Sequence, residues 1–134
     1  MNGLKISLWV AAIGCLAAVP FIFLPWSVME CIGSWYGMDP LPDAPILMYS
    51  FKVILGVFGL IGVFFAMLAL DPFKYGAMLK LGTYGLILFG ILALICGLSI
   101  GLPPIVYLGD SLSGLILGFA ILFFSSQSKQ ALKE

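Results

Sequence analysis

The chain contains no histidine and no arginine, and its six basic residues are all lysines. Without histidine there is no Ser-His-Asp or Cys-His catalysis, no histidine-ligated haem and none of the common zinc sites. Charged residues make up 9% of the chain and the net charge is zero, against about 25% charged in an ordinary soluble domain. No basic cluster is present to neutralise phosphates, so nucleic-acid binding is excluded as a function class. Cysteine is scarce: Cys15, Cys31 and Cys96, none in a CxxC pair. That argues against a disulfide oxidoreductase. Cys15 and Cys96 read as small hydrophobes within apolar runs, and Cys31 as a free thiol in a loop. The acids are scattered, and neither a phosphate-binding loop nor a dinucleotide fingerprint occurs. The sequence therefore predicts no metal, no cofactor and no catalytic residue.

Apolar residues are what the chain has in quantity. They make up 63% of the 134 residues, and the mean hydropathy is +1.20. A chain this short cannot hide so much apolar surface in its own interior. Four continuous apolar segments, at about 4–24, 46–70, 78–101 and 104–126, each reach the roughly 20 residues a helix needs to cross a bilayer. Continuous rather than alternating runs exclude a membrane β-barrel, which leaves helices as the way to satisfy the backbone in lipid. The first run continues past the lipoprotein-like box AAIGC to Leu24, which suits a retained span better than a cleaved signal. The fourth has two readings: a helix from Pro104 that takes Asp110 inside it, or a later start with Asp110 or Ser111 as N-cap.

The lysines orient the segments. Lys5 precedes the first, Lys74 and Lys80 flank the turn LDPFKYGAMLK, and Lys129 and Lys133 follow the fourth, while the 25–45 connection holds Glu30, Asp39 and Asp43. The positive-inside rule places both termini and the middle turn in the cytoplasm. The 25–45 connection reads as an external loop rich in Gly, Pro and Asp. Its PWSVMECIGSWYG stretch reads as a short surface helix anchored by Trp26, Trp35 and Tyr36. The predicted fold is all-α: a single polytopic domain over 1–134, a four-transmembrane-helix bundle with cytoplasmic termini. In lipid, small residues mark helix interfaces, so Gly56, Gly59, Gly62, Gly90, Gly97, Gly114 and Gly118 are the predicted packing positions.

Lys52 is the one charge deep in the second segment, on the helical face of Tyr49, Gly56 and Gly59, which points it toward the bundle. Two readings stand side by side. The lysine snorkels to the external interface, or it pairs with Asp110, six residues after Pro104 and so at similar depth. A polar pocket would then add Tyr49, Ser50, Tyr107, Ser111 and Ser113. The GLSIG stretch at 97–101 fits a nucleophile-elbow pattern on paper. It ends a membrane helix and has no histidine partner, so it reads as packing glycines around a helix-end serine.

The length, the two-hairpin layout with both ends inside and the short LDPFKYGAMLKLG turn resemble the small bacterial four-helix inner-membrane proteins of the DoxX-like and BphX-like kind. That resemblance implies a bacterial inner-membrane protein accessory to a redox or catabolic system, and it carries no site residue over. Two functions follow as expectations. One is a non-catalytic accessory or assembly subunit that meets other membrane subunits, or itself, through glycine faces. The other is a small oligomeric transporter or ligand-binding bundle with a polar site near Lys52.

Overall fold

The computed structural model describes residues 2–131 apart from 41 and 43, so Asp43 and Lys133 lie outside the described residues. The described chain is helical throughout, in the order α1 (Asn2–Leu16), a 3₁₀ segment (Val19–Phe23), α2 (Trp26–Trp35), α3 (Pro45–Leu70), α4 (Gly76–Ile100) and α5 (Pro104–Ala131). Four helical stretches are long and apolar enough to cross a membrane: Gly3–Phe23, Pro45–Leu70, Gly76–Ile100 and Pro104–Gln127. Only 17% to 28% of each stretch is buried inside the protein. Ile6, Leu60, Leu70, Leu98, Ile100 and Ile116 all point outward at more than 60% exposure. A continuous apolar surface of that extent is a lipid-facing surface, and the chain is an integral membrane protein.

Element boundaries follow from local chemistry. The first predicted span, 4–24, is not one helix. Pro20 cannot donate a hydrogen bond, and its ring would strike the carbonyl of Leu16, four residues earlier. Regular α-helix accordingly stops at Leu16 and resumes as tighter turns, with the Phe21 amide donating to the Ala18 carbonyl (3.2 Å) and Leu24 to Phe21 (3.3 Å). The surface helix expected in the external loop forms as α2. α4 begins at Gly76, after a turn in which the Asp71 carboxylate accepts from the Lys74 amide at 3.3 Å. It ends at Gly101, whose φ of 73° is the left-handed C-cap conformation glycine adopts without strain. α5 starts at Pro104, where the missing N–H is one the first turn leaves unpaired anyway. Asp110 thus lies inside the helix, and the N-cap reading falls.

The helices pair as two hairpins, α1 with α3 and α4 with α5, and the hairpins join mainly where α1 meets α5. The packed core gathers at the end that carries the N-terminus, the 71–75 turn and the C-terminal end of α5. Leu4, Leu8, Ala11, Ala12, Phe65, Leu68, Ala69, Leu79 and Ile121 form it, with Phe73, Tyr75 and Phe124 packed on its edge. Toward the opposite, loop-bearing end, α3 and α4 scarcely touch.

Lipid is as apolar as leucine, so burial alone does not drive these helices together; close approach does. The α4–α5 seam shows how. A side chain added at Gly114 would meet the Leu86 carbonyl at 2.9 Å and the Gly90 backbone at 3.1 Å. One added at Gly90 would meet the Ser111 carbonyl at 2.8 Å, Gly118 abuts Ile87, and Gly97 sits against the Tyr107 ring. In the other hairpin, Gly62 lies on Leu16 and the Ala12 carbonyl, and Gly59 on Val19. Gly56 is the exception among the predicted packing glycines, because nothing lies within 4 Å of where its side chain would begin.

Candidate functional site

The open Gly56 explains Lys52. Along α3 the face turned to α1 carries Gly62, Gly59, Gly56, Lys52 and Tyr49 in rising order. The first two touch Leu16 and Val19. By Gly56 nothing lies within 4 Å of where a side chain would begin, although the start of α2 reaches α3 further along, where Trp26 meets Phe51 edge to face at 6.3 Å. Lys52 stands about one turn beyond Gly56. It is exposed, and Tyr49 beside it is 67% exposed. The expectation that Lys52 points into the bundle is corrected: its side chain is exposed. No ion pair within 4.0 Å involves Lys52 among the described residues.

Asp110 is elsewhere. It lines a cavity of about 470 Å³ between the two hairpins, to which every long helix contributes one face. α1 supplies Ala11, Gly14 and Cys15, and α3 supplies Phe58, Ile61, Phe64 and Phe65. α4 supplies Leu81, Gly82, Gly85, Leu86 and Phe89, and α5 supplies Asp110, Ser113, Gly114 and Leu117. On each helix these residues recur at spacings of three and four, as one helical face must. Lys52 is not among them. It lies six residues from Phe58, about 9 Å along the helix and some 120° round it.

The space has a local cause. Gly14 and Gly85 line it, and nothing lies within 4 Å of where either side chain would start. Two missing side chains, where α3 and α4 have already diverged, leave the volume open. Its walls are strongly aromatic. Phe58 and Phe89 meet edge to face at 5.8 Å across the α3–α4 gap, and Phe64 meets Phe65 at 5.5 Å deeper in. Its polar groups are few, and the hydroxyl of Ser113 donates to the backbone carbonyl of Asp110 at 3.0 Å rather than to its carboxylate.

Of the residues singled out from the sequence, the structure thus brings Asp110 and Ser113 together at the cavity and leaves the others apart. Ser111 is buried at 2% exposure in the α4–α5 seam, with its carbonyl against Gly90. Tyr107 is half-buried on Gly97, and Ser50 is half-buried on α3. The GLSIG serine, Ser99, is exposed and donates to the Ile95 carbonyl at 2.7 Å, as a helix-end hydroxyl does. The phenylalanines, Gly85 and Cys15 were missed as lining residues, and Gly14, a small residue expected to pack α1 against a neighbour, instead borders the open space. Their signal was present as i, i+3, i+4 faces, but such faces also describe ordinary packing. No family model, curated protein or solved structure matches the chain.

Proposed function

We propose that the protein is a non-catalytic four-helix bundle of a bacterial inner membrane that holds a lipophilic small molecule in the cavity between its hairpins. The observation that carries this reading is the 470 Å³ cavity itself. Its size falls in the range of about 300–1,000 Å³ typical of small-molecule sites, and such sites are mostly apolar with a few placed polar groups. The position between helices of a bundle, open where α3 and α4 part, suits entry from the bilayer. Collection of Lys5, Lys74 and Lys80 at the end that bears both termini supports a cytoplasmic assignment for that end. An accessory subunit docking through glycine faces has less to stand on, since all the predicted packing glycines but Gly56 are occupied within the chain.

The test is to purify the wild type and a Gly14→Leu/Gly85→Leu variant in mild detergent and identify what co-purifies by mass spectrometry. Both substitutions grow into open space, so the variant is expected to fold. A molecule carried near one per chain by the wild type and lost from the variant is the expected result. Identical co-purifying material in the two proteins would refute the reading.

A further inference from the structure

We infer that the molecule held in this cavity is an organic cation with an apolar body, such as a quaternary ammonium or phosphonium, with Asp110 as its counter-charge and Phe58 and Phe89 as its aromatic walls. The inference rests on the ligand-binding reading above and adds the ligand's charge.

Three observations converge on a cation. First, among the described residues Asp110 is the one side chain lining the cavity that is charged at neutral pH in its ordinary state, and none of the lining residues is a lysine. The Ser113 hydroxyl, one turn away, is used on the backbone carbonyl and leaves the carboxylate to other partners. An acid within a membrane bundle characteristically faces a counter-ion or marks a substrate path. Second, four phenylalanines line the same space. Aromatic faces attract cations through the ring quadrupole, and they do so most usefully where the cation carries no hydrogen-bond donors, as in quaternary ammonium groups. Third, acid and rings lie close in height. Gly90 packs against the Ser111 carbonyl, which sets Phe89 and Asp110 within about one helical turn of each other. Phe58 then meets Phe89 ring to ring at 5.8 Å. An anionic or strongly hydrogen-bonding ligand would find no donor set here: the lining polar side chains are Asp110, Ser113 and the thiol of Cys15.

The test compares two probes of nearly equal size and opposite charge, tetraphenylphosphonium and tetraphenylborate. Binding to the purified full chain in a non-ionic detergent is measured by equilibrium dialysis, with protein-free micelles subtracted. The expected result is saturable binding of about one phosphonium per chain and no saturable borate binding. Asp110→Asn should weaken phosphonium binding about tenfold or more, since the opposite charge is lost. Phe89→Leu should weaken it by a smaller factor, about three- to thirtyfold. Equal binding of the two ions, or full binding by a folded Asp110→Asn protein, overturns the inference. Should Asp110→Asn fail to fold, the contrast between phosphonium and borate on the wild type decides alone. If neither probe binds, the inference falls. Whether the ligand-binding reading falls with it is then settled separately by what the wild type and the Gly14→Leu/Gly85→Leu variant carry from the membrane.

Discussion

Two glycines, Gly114 and Gly85, sit in the same hairpin and differ in one respect that makes the packing argument testable. An added methyl at Gly114 meets backbone on three sides: the Leu86 carbonyl at 2.9 Å, and the Cα and nitrogen of Gly90 at 3.1 Å. Backbone cannot rotate away as a side chain can, so α4 and α5 must separate to admit it. Overpacking of this kind costs about 1–3 kcal/mol. An added methyl at Gly85 meets nothing within 4 Å. Both substitutions are Gly→Ala inside a helix, so the propensity gain of up to about 1 kcal/mol applies equally and cancels in the difference. Gly114→Ala is therefore expected to be less stable than Gly85→Ala by about 1–3 kcal/mol. Unfolding of the two variants by titration with a denaturing detergent, followed by circular dichroism and tryptophan emission, measures that difference. Equal stability would show that the α4–α5 seam does not depend on close backbone approach, and the account of what holds this bundle together would fail.

Further outcomes follow from the placement of particular residues. Lys52→Met and Asp110→Asn should act independently, with a coupling energy under about 0.5 kcal/mol in a double-mutant cycle. A coupling well above that would restore the ion pair. Gly101→Ala should cost about 1–2 kcal/mol, because φ of 73° forces a side chain into the left-handed region. Gly101→Asn, better tolerated there, should recover part of the loss in the same unfolding assay. With Cys15 and Cys96 replaced by serine, Cys31 on the exposed surface of α2 should react with a membrane-impermeant maleimide in intact cells. With Cys31 replaced as well, a cysteine placed at Lys74 should react only after permeabilisation, and the opposite pattern would invert the proposed topology.

Much of the architecture was legible in the residues. The four spans, the start of α5 at Pro104 and the six glycines of the two seams are each dictated locally. Hydropathy counts residues against bilayer thickness, proline ends or opens helices by its missing donor, and glycine alone lets backbones touch. Pro20 lies inside the span expected to run unbroken over 4–24, and there α1 gives way to a tighter turn. The candidate site was not legible. The depth match between Lys52 and Asp110 counted residues from Pro45 and Pro104, which gives height along each helix but not which way the helix is turned, and only Asp110 borders the space between the hairpins.

The sequence by itself determined that this is a helical membrane protein, because an apolar chain without charge to spare has no other stable form in or out of lipid. It also determined which face of each helix is thin enough to approach another. Only the tertiary structure decided which thin faces meet and which stay open. Gly59, Gly62, Gly90 and Gly118 are closed by a neighbour, while Gly14 and Gly85 border a cavity. That difference depends on the divergence of α3 from α4 beyond their shared turn, a relation between distant helices that no local pattern encodes. Both Lys52 and Asp110 are exposed, but only Asp110 borders the space that the phenylalanines line.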